Sequence, residues 1–149
     1  MKKFYLAYGS NMNVQHMALL CPTAKFLGAS ELSGWKLNFR GSFSAAYATV
    51  DPTPGDNVPV VIWEISSTNE DALDRYEGFP VLYKKEVVYV IYNGKKVEAM
   101  LYVMNPDENG NRRPICEPRQ YYYEKIAKGY VHAGLDLKAL RQALTESRQ

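Results

Sequence analysis

Hydrophobic and polar positions follow a two-residue alternation through the middle of the chain and a helical spacing near both ends. Alternating or continuous apolar runs predict strands, at residues 4–8, in two runs within 24–40, and at 47–50, 58–65, 83–91 and 97–104. Asn93-Gly94 is the strongest hairpin signal, because both residues tolerate the backbone of a tight turn. A turn is also predicted at 52–56, and Pro59 indicates a sheet edge or a bulge.

Helical spacing of apolar residues predicts the remaining elements, at residues 14–20, 67–77, 121–131 and 137–147. Asn13 is a suitable N-cap for the first of these helices. Ser67 and Glu70 have the spacing of a capping box at the start of the second. That helix is expected to end at Glu77, with Gly78 as its left-handed cap.

The order of these elements predicts the fold class. Strands dominate the middle of the chain and helices cluster at its ends, without a repeat or linker to divide residues 1–149. We therefore expect one α+β domain with a mixed, mostly antiparallel sheet flanked by helices. A small closed β-barrel is the favoured arrangement, because closure would leave no strand edge exposed.

Composition narrows the possible partners and the cellular location. The 149 residues are 46% hydrophobic with a formal net charge of +2, too small for the basic surface of a nucleic-acid-binding protein. No apolar stretch reaches 18 residues, so no membrane span is predicted, and a cytoplasmic location is expected. Cys21 and Cys116 form no CxxC pair and are expected to be free thiols. Lysine pairs at 84–85 and 95–96 are predicted to protect solvated sheet edges.

The first candidate for chemistry is the segment that joins the first strand to the first helix, Gly9-Ser10-Asn11-Met12. Small residues at such a junction leave backbone N–H groups unpaired, and a helix N-terminus adds positive potential, so an anion could bind there. A plain β–α turn uses the same residue types. The segment lacks a nucleotide-loop pattern, which favours a carboxylate over a polyphosphate.

Glu77 is the second candidate, because it breaks a local rule. A carboxylate in the last turn of a helix opposes the helix dipole, and its spacing from Leu73 places it on the inward face. Both effects would raise its pKa towards the value that a general acid/base needs. The alternative is that Glu77 pairs with an arginine or points into solvent.

Other chemistries have little support in the sequence. His16 and His132 are far apart and have no neighbouring ligand pattern, so no metal site and no cofactor are predicted. Ser10 lacks the GxSxG context of a nucleophile. Among the twelve tyrosines, Tyr83 and Tyr102 fall on the predicted hairpin, where packing is the default expectation.

Taken together, several segments resemble the gamma-glutamylcyclotransferase-like family in order and spacing over nearly the whole chain. They are Tyr8 to Met12, Cys21-Pro22, Ala48-Thr49-Val50, Pro54 to Val58, Leu73 to Gly78, Tyr83, Tyr122 to Gly129, and Gly134-Leu135.

The resemblance implies a small barrel flanked by helices and an enzyme that converts a γ-glutamyl amide to 5-oxoproline and a free amine. It implies that Glu77 is the general base and acid. It further implies that the substrate-binding residues are Tyr8, Gly9, Ser10, Asn11, Met12, Tyr83 and Tyr102. The loop would hold the α-amino-acid end of the γ-glutamyl group, and the tyrosines would line the pocket.

Three positions depart from the family pattern. Ala45 and Ala46 replace two frequent glycines, and Val60 replaces another, so that bulk is added close to the predicted pocket. They put the substrate range in question and keep a second hypothesis open, a non-catalytic protein that binds a γ-glutamyl or amino-acid-like ligand. The sequence determines neither the leaving group nor whether the chain is a monomer or a homodimer.

Overall fold

The computed structural model describes residues 2–149, and ten elements make up most of them. The strands are β1 (Lys3–Ala7), β2 (Lys25–Ser42), β3 (Ala45–Ile65), β4 (Tyr83–Tyr92) and β5 (Lys95–Met104). The helices are α1 (Val14–Leu20), α2 (Ser67–Glu77), α3 (Gln120–His132) and α4 (Lys138–Ser147), with a 3-10 turn at Ser10–Met12. The mixed α+β class predicted from the sequence is confirmed.

The five strands form one sheet in the order β2-β3-β1-β5-β4. β1 runs parallel to β5, and the other neighbouring strands are antiparallel. Within residues 2–149 the sheet stays open, so the predicted closure into a barrel is wrong. The edge strands β2 and β4 approach each other without forming a strand pair. A side chain connects them, because the Ser30 hydroxyl donates to the Ile91 carbonyl at 2.9 Å.

Strands β2 and β3 are longer than the sequence pattern predicts. Residues 52–56 do not separate two strands, because β3 continues through them and pairs with β2 on both sides. The turn-forming residues are accommodated by a register shift opposite Gly34, whose φ is +86°. Pro59 lies beyond the stretch of β3 that pairs with β1, which agrees with the predicted edge or bulge.

Helix α2 begins and ends with strong local signals. Its N-cap is Ser66, which forms a capping box with Asn69, one residue before the predicted Ser67–Glu70 pair. The Ser66 N–H donates to the side-chain oxygen of Asn69, so the cap does not need the Glu70 carboxylate. Glu70 instead binds Lys3 and Lys85 at 2.8 and 2.7 Å. The helix ends at Glu77 with Gly78 in the left-handed conformation, as predicted.

The core lies between the sheet and helices α3 and α4. Its largest fully buried side chains come from every layer: Tyr102, Tyr130, Phe39, Leu6, Met12, Met17, Ile62, Ile65, Leu73, Leu101, Ile126 and Leu140. Helix α3 makes its closest approach at Gly129, directly against the backbone of Met12. Across residues 2–149, no helix combines the length and the apolar character that a membrane crossing requires.

Candidate active site

The 9–12 loop (Gly9–Met12) connects the end of β1 to helix α1. Its turn uses the N–H groups of Met12 and Asn13, which donate to the carbonyls of Gly9 and Ser10 at 3.0 and 3.1 Å. The N–H groups of Ser10 and Asn11 begin the turn and therefore have no partner within it. Asn13 caps α1 through its side chain, as predicted, so the loop is held at its C-terminal end.

Asn11 links this loop to the other candidate residue. Its buried amide nitrogen donates to the Tyr5 hydroxyl at 2.8 Å and lies 3.5 Å from the Glu77 Oε1 atom. The indole N–H of Trp63 donates to the Asn11 carbonyl at 3.0 Å and fixes the backbone. The Asn11 Oδ1 atom is buried and has no hydrogen-bond donor among the described residues. This oxygen therefore keeps an unused capacity to accept a hydrogen bond.

Glu77 keeps some accessible surface, but its carboxyl group is largely enclosed by protein. The loss of hydration raises the pKa of Glu77 from 4.5 to about 7. The helix C-terminus also opposes a negative charge at this position. A carboxyl group that titrates near neutral pH can both accept and return a proton under ordinary cellular conditions.

Two tyrosines clamp the backbone of Ala48 opposite the loop. The Tyr83 hydroxyl donates to the Ala48 carbonyl at 2.7 Å, and the Ala48 N–H donates to the Tyr122 hydroxyl oxygen at 3.0 Å. A β-carbon on Gly9 would lie 3.2 Å from the Ala48 β-carbon, so the two chain segments are in close contact. This wall of the site is therefore fixed by hydrogen bonds from two tyrosine side chains to the main chain of Ala48.

Tyr102 is held by an acidic partner on helix α2. Its hydroxyl donates to Asp74 Oδ1 at 2.6 Å, and Lys85 contacts the same carboxylate at 2.9 Å. Burial, followed by this hydrogen bond, raises the pKa of Tyr102 far above its ordinary value, so the phenol stays protonated. Lys85 also binds Glu70, and it is thus part of an ion-pair network rather than the solvated edge lysine predicted.

These residues enclose a small inner cavity and a larger outer groove. The inner cavity has a volume of about 30 Å³ and is lined by Tyr5, Tyr8, Gly9, Ser10, Asn11, Ala48, Glu77, Tyr83, Tyr102 and Tyr122. The outer groove has a volume of about 240 Å³ and is lined by Ser10, Tyr47, Tyr76, Glu77, Leu82, Tyr83 and Tyr122. The two spaces share four residues, including Glu77, which lies at their junction.

Larger hollows exist elsewhere, but they lack the same convergence of enclosed polar groups. One of about 380 Å³ lies beside the start of β1 and is lined partly by Lys2, Lys3 and Glu98, which are exposed. Within residues 2–149, no group of three His, Cys, Asp or Glu side chains is arranged to hold a metal ion. The cavity beside Glu77 is the better candidate for a functional site. The pKa of Glu77 is raised there, and several polar groups line the same small space.

The structure brings together all but one of the predicted site residues. Of the eight, only Met12 does not line the cavity: its side chain is fully buried in the core, and its N–H is used within the loop. Ala45, Ala46 and Val60, which were expected to add bulk close to the pocket, do not line either space. Val60 is fully buried, and the two alanines pair with the end of β2.

Sequence reasoning missed several residues of the site, chiefly Tyr5, Tyr47, Ala48, Asp74, Tyr76 and Tyr122. Asp74 carried a usable signal, since it precedes Glu77 by three residues and shares its helix face. Tyr122 carried no local signal of a role in the site, because it reaches the cavity only through the packing of α3 in the folded protein.

Comparisons with known proteins identify the family and the fold. Residues 5–124 match the family model described as gamma-glutamyl cyclotransferase, AIG2-like. The chain is 29% identical to a gamma-glutamylcyclotransferase of Homo sapiens, over 90% of this chain and 73% of that protein. It is 31% identical to a gamma-glutamylcyclotransferase of Mus musculus, over 88% and 71%. A solved structure named gamma-glutamyl cyclotransferase superposes with a TM-score of 0.82 at 27% identity, covering 96% of this chain and 86% of the other.

Proposed function

Because the chain belongs to the gamma-glutamyl cyclotransferase, AIG2-like family, we propose that it converts a γ-glutamyl amide to 5-oxoproline and a free amine, with Glu77 as general base and acid. One observation carries the assignment of Glu77. Burial raises the pKa of its carboxyl group to about 7, and this group lies 3.5 Å from the Asn11 side-chain amide, in a cavity that the 9–12 loop also lines. The proposed proton-transfer group and the proposed anion-binding loop thus line the same cavity.

In the proposed complex, the N–H groups of Ser10 and Asn11 bind the α-carboxylate of the substrate. The unpaired Asn11 Oδ1 and the Glu77 carboxylate then accept hydrogen bonds from its α-ammonium group. This arrangement folds the γ-glutamyl chain so that its nitrogen approaches its own γ-carbonyl carbon. Such preorganisation supplies a large part of the rate enhancement in intramolecular reactions.

The chemistry then proceeds by proton transfer and ring closure. Glu77 removes a proton from the α-ammonium group, and the resulting amine attacks the γ-carbon to form the new C–N bond. The scissile C–N bond breaks as Glu77 returns the proton to the departing nitrogen. Glu77, again a carboxylate, takes the second proton from the attacking nitrogen as the lactam forms and passes it to the released amine, which leaves as an ammonium ion. Atoms and charge balance without water or a redox partner.

The buried tyrosines add no charge to the cavity during these steps. Burial raises the pKa values of Tyr5, Tyr8 and Tyr83 above their ordinary value, so each hydroxyl retains its proton. Tyr122 accepts the Ala48 N–H, which leaves its own O–H free to donate into the cavity. We propose that it stabilises negative charge developing on the γ-carbonyl oxygen.

A comparison of the wild-type protein with the Glu77→Gln variant tests this function. Both are incubated with a panel of γ-glutamyl amides, and 5-oxoproline is measured by mass spectrometry. We expect the wild type to form 5-oxoproline and the variant to be slower by roughly 10²–10⁴-fold, since Gln cannot accept the proton. Wild-type turnover in Glu77→Gln would remove Glu77 from the mechanism. Ligand binding without 5-oxoproline from any substrate would favour the non-catalytic binder.

The partner of this site is a small molecule bearing a γ-glutamyl group. We propose a cytoplasmic location, which would agree with the composition of the chain and its free cysteines Cys21 and Cys116. A monomer and a homodimer are both compatible with a site built from one chain.

A further inference from the structure

A separate groove lies behind the strands that carry the inner cavity, and it shares no lining residue with the two spaces of the candidate active site. It has a volume of about 240 Å³ and is lined by parts of β2 to β5 and by the loop after β5. Two of its residues, Lys84 of β4 and Val103 of β5, are paired in the sheet. Each directly follows a tyrosine of the inner cavity, at positions 83 and 102. Because successive strand residues point to opposite faces of a sheet, Lys84 and Val103 point away from that cavity.

Positive charge is concentrated in this groove. Four of the 18 Lys and Arg residues of the chain line it, but only one of the 16 acidic residues, Asp51, does so. The four cations, which define what is called the basic groove below, are Arg40, Lys84, Arg112 and Arg113. The whole chain has a formal net charge of only +2, so this excess is local. A cleft lined by charges of one sign raises the local concentration of ligands of the opposite sign.

Arg40 is fixed within the groove by hydrogen bonds to the protein. Its Nε atom donates to Asp51 Oδ2 at 3.0 Å, and its Nη1 atom donates to the Arg113 carbonyl at 2.7 Å. The same Asp51 oxygen accepts from the Asn38 amide at 2.6 Å, which holds the carboxylate in turn. The Arg40 and Asp51 side chains are largely buried, with 15% and 13% of their surface exposed. Asp51 therefore neutralises Arg40, and the guanidinium is ordered before any ligand binds, which lowers the entropic cost of binding.

Within residues 2–149, the other three cations of the groove lack a close acidic partner. The Nη1 atom of Arg112 lies 3.9 Å from Asp51 Oδ1, which is beyond hydrogen-bond distance. Lys84 has an exposed contact of 3.8 Å with Glu86, and such a contact contributes little in water. Arg113 donates through Nε to a neutral backbone carbonyl at 3.3 Å, so its charge is not compensated there. These three charges are available to a ligand.

From this arrangement we propose that the basic groove binds a small dianion, and that a phosphate group suits it best. Arginine side chains bind phosphate oxygens through paired N–H groups, and Lys84 adds a compact charge. A dianion offsets more of the uncompensated charge than a single carboxylate does. The groove is small and the net charge of the chain is low, which favours a small ligand over an extended polyanion. This site is additional to the proposed function and does not depend on it.

Titration calorimetry at pH 8 tests this proposal, with sodium chloride keeping the ionic strength constant. Inorganic phosphate and glycerol 3-phosphate are the dianionic probes, and acetate is the monoanionic control. We expect a phosphate probe to bind more tightly than acetate by roughly tenfold or more. The tighter of the two probes shows whether the site takes a free phosphate ion or a phosphate ester. An affinity for both that is no higher than for acetate, or no binding of either, would overturn the proposal.

Two double variants separate the groove from the general charge of the protein. Lys84→Gln with Arg112→Gln removes two exposed cations of the groove, and Lys95→Gln with Lys128→Gln removes two exposed cations elsewhere. We expect the first double variant alone to weaken phosphate binding, by roughly tenfold. Equal weakening in both, or unchanged binding in the first, would overturn the proposal.

Backbone amide NMR shifts of the wild-type protein locate the bound phosphate without any substitution. We expect the largest shifts at residues 103–105 and 112–113, which lie along the basic groove. Shifts confined to the 9–12 loop would place the phosphate in the inner cavity and would refute a second anion site.

Discussion

At the scale of single residues, the site depends on a carboxyl group held where a carboxylate is disfavoured. Glu77 ends a helix and is largely enclosed by protein, and its carboxylate lies 3.5 Å from the side-chain amide of Asn11. Burial is the cause of its raised pKa, and no lining cation offsets it. The folded protein therefore carries a carboxyl group whose ionised form is unfavourable, which agrees with the proton-transfer role proposed for it.

This cost predicts that Glu77→Gln stabilises the protein at neutral and alkaline pH. The unfolded carboxyl titrates near 4.5 and the folded one at about 7, so the folded state binds more protons between these values. The stability of the wild type therefore falls as pH rises from 4.5 to 7, and the variant avoids this loss. We expect a gain of about 1–3 kcal/mol in the free energy of unfolding at pH 8.

Urea denaturation at pH 4.5 and at pH 8 measures this gain. The variant should gain little over the wild type at pH 4.5, because the folded carboxyl is then almost fully protonated and the unfolded one about half protonated, so little stability has yet been lost. Glu108→Gln is a matched control, since Glu108 is exposed in a loop, and it should show no pH-dependent gain. Equal stability of Glu77→Gln and wild type at pH 8 would show that Glu77 is not desolvated.

At the scale of elements, helix α3 fixes the position of the 9–12 loop. A β-carbon on Gly129 would lie 2.7 Å from the carbonyl carbon and the β-carbon of Met12, closer than real atoms approach. Met12 itself is fully buried and its N–H is bonded to Gly9. Met12 therefore does not line the cavity. Its close contact with Gly129 of α3 holds the 9–12 loop in position.

Gly129→Ala should damage both stability and catalysis. Alanine in a helix interior is normally favoured over glycine by about 1 kcal/mol. Here the added methyl group must displace the loop backbone, and we expect a destabilisation of about 1–3 kcal/mol. We also expect kcat/KM to fall by tenfold or more, because the binding N–H groups move.

Urea denaturation and the 5-oxoproline assay measure these two effects. Lys128→Ala is the control, because the neighbouring side chain is exposed on the same helix and should leave both quantities almost unchanged. A Gly129→Ala variant that is more stable than wild type and fully active would refute the contact between α3 and the loop.

Element boundaries were predictable where local chemistry decides them and not where pairing does. Gly78 ends α2 as predicted, because this cap requires the left-handed backbone conformation that glycine adopts readily. Residues 52–56 have a turn composition, but pairing with β2 continues on both sides of them, so tertiary structure overrode the local preference. The predicted barrel was wrong for a similar reason. How closely β2 approaches β4 depends on tertiary geometry that no local sequence pattern encodes.

At the scale of the whole molecule, the site is assembled from distant parts of the chain. Asn11 and Glu77 are 66 residues apart, and Tyr122 reaches Ala48 across a separation of 74. Asn11 and Glu77 could be singled out from the sequence, because each has a local signature. Asn11 lies in a loop of small residues, and Glu77 is a carboxylate in the last turn of a helix, where the helix dipole disfavours it. Tyr122 and Tyr76 were not, because a tyrosine in a helix has no pattern that distinguishes a cavity wall from a packed surface.

A crystal structure of Glu77→Gln with a bound γ-glutamyl amide tests the central claim most directly. The variant removes the proton acceptor while keeping the size of the side chain, so the substrate should persist. We predict the α-carboxylate within hydrogen-bond distance of the Ser10 and Asn11 N–H groups. The α-nitrogen should lie beside residue 77 and about 3–3.5 Å from the γ-carbon. A ligand bound away from the 9–12 loop, or with its α-nitrogen directed away from residue 77, would contradict the account.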